Sequence, residues 1–207
     1  SDFKGAKNQP IKTLEAIQNP NCGWRFQAKQ KDFEKIPGSP IAYWVSDKIR
    51  EIFEKNQKLG DIGEAKVGLQ TGDNMTGNDN LFLKNWFETN FINIGLNLSS
   101  DIELLESNKK WFPLSKGGEF RKWYGNLEHI INLKNNGEDI KKSGVNFRLR
   151  DSKYYFKNSI TWSRITSSTI AFRKNEKVLF SDAGPSMFLD KNLEYVLGFC
   201  NSNIFKN

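Results

Sequence analysis

The chain has 207 residues, with 31 Lys and Arg against 24 Asp and Glu, a net charge of +7 and a pI near 9.3. That length suits one domain, or one domain with an appendage, and sixteen Phe, six Trp and five Tyr supply enough large apolar surface for a core. Wholesale disorder is thereby excluded, and so is a membrane span, because no apolar run approaches the roughly 18 residues one needs.

The start, Ser1-Asp2-Phe3-Lys4-Gly5, lacks the apolar stretch of a signal peptide. With only Cys22, Cys200 and His129, the sequence offers neither a disulfide scaffold nor the ligands of a Cys/His zinc site. Two lone thiols fit a reducing cytoplasm. The abrupt opening and close suit a piece excised from something longer.

In chain order, residues 1–36 read as an extension, punctuated by Pro10, Pro20 and Asn19-Pro20-Asn21-Cys22-Gly23 around a short helical pattern at Ile11–Ile17. Ser39 is a suitable N-cap and Pro40 suits the first helical position. Ile41, Trp44, Val45, Ile49, Ile52 and Phe53 then recur at helical spacing up to Gly60, which predicts a long helix over 40–57.

Lys66-Val67-Gly68-Leu69-Gln70 predicts a strand, Thr71-Gly72-Asp73-Asn74 a loop, and Leu81-Phe82-Leu83 another strand. Segment 85–108 has too weak an apolar pattern to place. Beyond Trp111, short β-like runs alternate with turns: His129–Leu133, Tyr154–Phe156 and Ile160–Trp162. Thr169–Phe172 and Val178–Phe180 face each other across Lys174-Asn175-Glu176. Asp190 is placed to cap a last helix from Leu193 to Asn201. The reading is α+β: a mixed β-sheet domain over 37–207, with a long N-terminal helix and a C-terminal helix.

Most catalytic constellations are missing. One histidine and no Gly-x-Ser-x-Gly give no serine triad, and neither a phosphate-binding loop nor a dinucleotide fingerprint occurs. Transfer of a methyl group to a base amine needs an Asn/Asp-Pro-Pro-aromatic loop, and the six prolines never stand in tandem. Glu64-Ala65-Lys66 matches half of a metal-dependent nuclease site, with Asp47 or Asp61 as the second carboxylate. An ordinary solvated charge cluster accounts for the same residues. His129 fits a strand end better than a lone acid or base.

The basic signal is stronger. Residues 109–164 hold thirteen Lys and Arg (Lys109, Lys110, Lys116, Arg121, Lys122, Lys134, Lys141, Lys142, Arg148, Arg150, Lys153, Lys157, Arg164) against five acids, a surplus that accounts for the whole net charge. Interleaved with Trp123, Tyr124, Tyr154, Tyr155 and Trp162, it suits a polyanion such as duplex DNA; a merely Lys-rich composition is the plainer alternative. Lys116-Gly117-Gly118-Glu119-Phe120-Arg121-Lys122-Trp123-Tyr124-Gly125 is the most distinctive stretch. Its paired glycines let a backbone pass close to a phosphate or to another backbone.

Ile36-Pro37-Gly38-Ser39-Pro40-Ile41-Ala42-Tyr43-Trp44-Val45-Ser46 resembles the segment that follows the catalytic domain in the BREX phage-exclusion adenine-specific DNA methyltransferases, the PglX family. Val67–Asn74 resembles that family's entry to its target-recognition region, and Trp111-Phe112-Pro113 with Lys116–Asn126, Ile160–Ser163 and Leu197–Ser202 follow in order. Type IIG restriction–modification enzymes share the looser Gly-Leu-x-Thr-Gly theme. The family's Arg and Trp soon after Thr-Gly-Asp-Asn are displaced here by Met75–Asn80.

The resemblance implies a target-recognition-domain-like fold. It also implies a missing upstream methyltransferase domain, linked through residues 1–36, that binds S-adenosylmethionine; no cofactor is expected in this chain. Its partners would be double-stranded DNA, that upstream domain and other defence-system subunits. Lys116, Lys122, Lys141 and Lys153 would contact phosphates, and Arg121, Arg148, Arg150 or Arg164 would read bases. Trp123, Tyr124, Thr71, Asp73 and Asn74 would contribute from their loops. The specificity part of a type IIG restriction enzyme, a metal-dependent nuclease and a protein-interaction module of the defence complex remain as alternatives.

Overall fold

The computed structural model describes residues 5–72, 81–144, 146–167 and 169–206. The chain divides into two compact units, one up to Lys58 and one from Leu59 onward.

The first unit is helical: α1 (Asn8–Gln18), α2 (Gln30–Glu34) and α3 (Asp47–Lys55). Trp24 ties α1 to the following turn, donating from Nε1 to the Lys12 carbonyl at 3.1 Å while the Lys12 ammonium sits 3.7 Å above its ring. The helix expected over 40–57 is shorter, because Ser39 stands at φ 47° beside Gly38 and cannot take the extended N-cap conformation. Ser46 caps instead, its Oγ accepting from the Ile49 N–H. Arg50 is buried and pairs with Asp47 at 2.7 Å.

In the second unit, α4 (Leu59–Ile62) leads into two four-stranded sheets. The first is wholly antiparallel: β1 (Gly63–Lys66), β8 (Ser186–Leu189), β5 (Ser159–Trp162) and β6 (Phe172–Asn175), in that order. The second runs β2 (Leu83–Asn85), β4 (His129–Asn132), β3 (Trp111–Ser115), β7 (Leu179–Phe180), with β7 parallel to β3. Alternation along β3 sends Phe112 and Leu114 into one core, with Leu69, Ile131, Leu133, Ile140 and Leu179. It sends Trp111 to the opposite face, with Ile94 and Ile130. The first sheet packs Ile160, Phe172 and Met187 against Leu193, Val196, Leu197 and Cys200 of α7 (Leu193–Cys200). The remaining helices are α5 (Asp101–Glu106), α6 (Lys134–Lys142), whose opening turn is left-handed at Asn135 to Gly137, and α8 (Asn203–Lys206).

The mixed α+β architecture agrees with the sequence reading, and several elements differ. Tyr154–Phe156 is no strand: Asp151 accepts from the Lys153 N–H and caps a 3₁₀ turn at Ser152–Tyr154, so that three successive aromatics are all buried. Alternation would have exposed one of them. Val178–Phe180 does not pair with Thr169–Phe172; β6 joins β5 while β7 joins β3 in the other sheet. The strand expected over 66–70 breaks after Lys66, and Leu69 and Gln70 make isolated bridges to Ser181 and Arg148. β2 starts at Leu83 rather than Leu81. Asn192, at φ 60°, precedes α7 in the capping position foreseen for Asp190.

Candidate nucleic-acid interface

The connection between β3 and β4 carries the distinctive basic stretch, and it leaves one sheet to dock on the other. At its start Gly117, at φ 91°, passes so near the 183–184 backbone that an added Cβ would lie 2.6 Å from the Ala183 carbonyl oxygen. Of the two roles open to the paired glycines, the close approach of two backbones is the one this glycine fulfils. Asn126 steadies the turn by donating from Nδ2 to the Glu119 carbonyl at 2.9 Å, and Ser163 Oγ donates to the Gly118 carbonyl at 2.8 Å.

The far end lies along the free edge of β6. The Trp123 N–H donates to the Phe172 carbonyl and the Lys174 N–H to the Trp123 carbonyl, both at 2.9 Å. Trp123 itself has φ 74°, closed by a bond from the Tyr124 N–H to the Lys122 carbonyl. Beneath it lies Arg173, 1 % exposed, donating to the Arg121 carbonyl and to Ser163 Oγ at 3.4 Å each. Burial, reinforced by the like charge of Arg121, lowers the pKa of Arg173, and Glu128 works the other way. Its Nε has no hydrogen-bond partner among the described residues. Arg121 is exposed, lies across Gly125 and stands 3.9 Å from Glu128, while the Lys122 side chain has no ion-pair partner among the described residues.

Two adjoining hollows gather other candidates. Lys116 and Thr71 line a recess of about 160 Å³ together with Asp182 and Ala183. Arg164, Phe120 and Ser163 line a larger groove of about 870 Å³ that shares Asp182 and Ala183. Arg148 exchanges backbone bonds with Gln70 at 2.9 and 2.8 Å, and Arg150 donates from Nε to the Gly68 carbonyl at 3.3 Å. Thr71, Lys116, Arg148 and Arg150 thus border one strip of chain, while Ser163, next to Arg164 in sequence, connects to the Arg121–Tyr124 loop through Gly118 and Arg173.

Lys153 stands apart, in a hollow with Glu64 and Lys157, paired with Asp151 at 3.3 Å. The Tyr154 hydroxyl, followed by Asp151, raises its pKa. Asp73 and Asn74 lie outside the described residues.

Glu64 is engaged by its neighbours. Its carboxylate accepts from the Tyr154 hydroxyl and pairs with Lys66 at 2.9 Å, and these contacts, in that order, hold its pKa below the usual carboxylate value. Among the described residues no group of three or more His, Cys, Asp or Glu is placed to hold a metal ion. No helix among them is long and apolar enough to cross a membrane.

Sequence reasoning passed over Arg173, Ser163 and Asp182. The available signal for Arg173 was a cation directly after Phe172, at the end of a strand-like run; both side chains are buried because both faces of β6 are covered there.

A basic, aromatic loop from the second sheet thus runs along the edge of the first. No family model matches the chain. It is nevertheless related over nearly its whole length to a region of the BREX adenine-specific methyltransferases. It is 40 % identical to the adenine-specific methyltransferase PglX of Lacticaseibacillus casei (strain Zhang), over 98 % of this chain and 17 % of that protein. It is 39 % identical to the adenine-specific methyltransferase BrxX of Escherichia coli O9:H4 (strain HS), over 90 % of this chain and 14 % of that protein. The chain therefore spans about a sixth of the length of these relatives.

Proposed function

We propose that the chain is the DNA target-recognition region of a bacterial N6-adenine DNA methyltransferase of a BREX phage-defence system. The observation that carries this reading is the Lys116–Tyr124 loop, which holds Arg121, Trp123 and Tyr124 exposed on a fixed sheet edge. The remainder of the protein would supply S-adenosylmethionine binding and methyl transfer, on an adenine rotated out of the duplex because a stacked base amine cannot be reached. Residues 1–36 would link to that part. Every described residue assigned to DNA lies in the unit from Leu59 onward.

Lys116, Lys122, Lys141 and Lys153 would fix register on phosphates, which carry no sequence information themselves. Arg121, Arg148, Arg150 and Arg164 would read base edges, since the guanidinium fork matches guanine O6 and N7. Arg150 has one nitrogen committed to Gly68 and would read with its terminal pair.

The test is to map methylated adenines across a genome with variants of the full-length protein. Arg121→Ala should lose about 1–3 kcal/mol and relax one position of the motif. Arg121→Lys should fail to restore it, because an ammonium lacks the planar fork. Lys122→Ala should weaken all sites alike. An unaltered motif with Arg121→Ala at normal expression removes the reading role.

A protein contact is favoured for a different surface. Trp86, Phe87, Phe91 and Ile92 are all at least half exposed on two successive 3₁₀ turns, apolar side chains that suit docking to another part of the enzyme or to a defence-system subunit.

A further inference from the structure

We infer that Trp123 and Tyr124 form an aromatic wedge that enters a base step of the bound duplex and stacks there. The inference rests on the DNA-recognition reading above and assigns these two rings a task distinct from phosphate contact or base-edge reading.

Three observations converge. Trp123 occupies φ 74°, a region that bulky L-residues rarely adopt, and two backbone bonds to β6 hold it there. Strain of this kind persists only where the surroundings over-determine it. The result reverses what burial alone would favour: Trp123 is 52 % and Tyr124 68 % exposed, although a packed core lies immediately behind β6. Finally, Arg121 and Lys122 directly precede the rings.

Flat apolar rings beside two cations match a base step, which offers flat apolar faces bordered by phosphates. An apolar pocket on a protein would match the rings and leave Lys122, which has no ion pair among the described residues, without counter-charge. Insertion also demands a wedge that does not fold back when it meets the stack. The β6 bonds supply that stiffness from the side, and Arg173, bonded to the Arg121 carbonyl, supplies it from below.

The experiment uses the 207-residue chain, a duplex oligonucleotide and a closed circular plasmid relaxed by topoisomerase in its presence. Trp123→Ala should weaken duplex binding between about fivefold and a hundredfold, and Trp123→Phe should stay within about threefold of wild type. The salt dependence should remain unchanged in both, because no phosphate contact is removed. The wild-type chain should unwind the plasmid, and Trp123→Ala and Tyr124→Ala should each reduce that unwinding.

The Tyr124 side chain is 68 % exposed and has no hydrogen-bond partner among the described residues, so Tyr124→Ala should melt as wild type does and keeps the test valid if Trp123→Ala is poorly folded. Binding without unwinding, or unwinding insensitive to both substitutions, overturns the wedge alone and leaves the DNA reading in place. Absence of any duplex binding by the wild-type chain overturns the DNA reading and the wedge with it.

Discussion

Gly117 and Gly144 both sit at positive φ, 91° and 69°, yet their surroundings differ completely. A Cβ at Gly144 meets nothing within 4 Å, whereas at Gly117 it would strike the Ala183 carbonyl at 2.6 Å, a backbone atom that cannot swing aside. Gly144→Ala should therefore cost only the backbone penalty, about 1–2 kcal/mol. Gly117→Ala should cost about 2–4 kcal/mol, since overpacking adds to the same penalty. Denaturant titrations of the two variants measure the difference, and equal losses would contradict the close crossing. Glu64 gives a prediction with a sign. The Tyr154 hydroxyl and Lys66 hold its carboxyl low, so its ionised form favours the folded state above the unfolded pKa, and that benefit is lost as pH falls through the folded value. Tyr154→Phe removes the largest cause, and the Glu64 titration followed by NMR should shift upward towards the ordinary carboxylate range.

At the scale of elements, the free edge of β6 is occupied from two directions. The Trp123 loop bonds to Phe172 and Lys174, while Asn201, just past α7, accepts from the Phe172 N–H at 3.1 Å and donates to its carbonyl at 2.9 Å. The edge is thus closed against other strands, and the C-terminal helix is tied to the strand that carries the loop. Asn201→Ala leaves the Phe172 carbonyl its bond from Trp123 and orphans only the buried N–H, so a loss of about 1–3 kcal/mol in thermal or chemical unfolding is expected. Much of this scaffold was legible. β4 and β5 follow from short β-like runs bounded by turns, α7 from the apolar run that starts at Leu193, and α1 from its short helical pattern. What periodicity missed has physical causes: β6 and β7 adjoin in sequence but pair in different sheets, and three adjacent aromatics satisfy a 3₁₀ turn as readily as a strand. At the candidate site the sequence supplied the exposed cations and rings. It did not supply the buried Arg173, because only long-range packing decides that a guanidinium faces inward.

For the molecule as a whole, the decisive quantity is how duplex affinity responds to salt. The surplus positive charge lies in residues 109–164, but the structure does not leave all of it available. Lys142 pairs with Glu138, Lys153 with Asp151, and Lys110 lies 3.9 Å from Asp139. Four lysines are assigned to phosphates, and each contact on duplex DNA contributes about −0.9 to the slope of log affinity against log salt. Four full contacts would give a slope near −3.6, so raising salt fourfold should weaken binding by roughly a hundredfold, from a micromolar starting point typical of mainly electrostatic association. Lys122 has no competing ion pair among the described residues, and Lys122→Ala should reduce the slope by about one unit. Lys153 already has a carboxylate neighbour, so releasing Asp151 offsets part of the counterion gain, and Lys153→Ala should reduce the slope by clearly less than one. Fluorescence anisotropy of a labelled duplex at several salt concentrations separates the two variants. Equal slope changes would show that the Asp151 pair opens freely on binding. Affinity independent of salt would place the function of this basic surface outside nucleic-acid recognition.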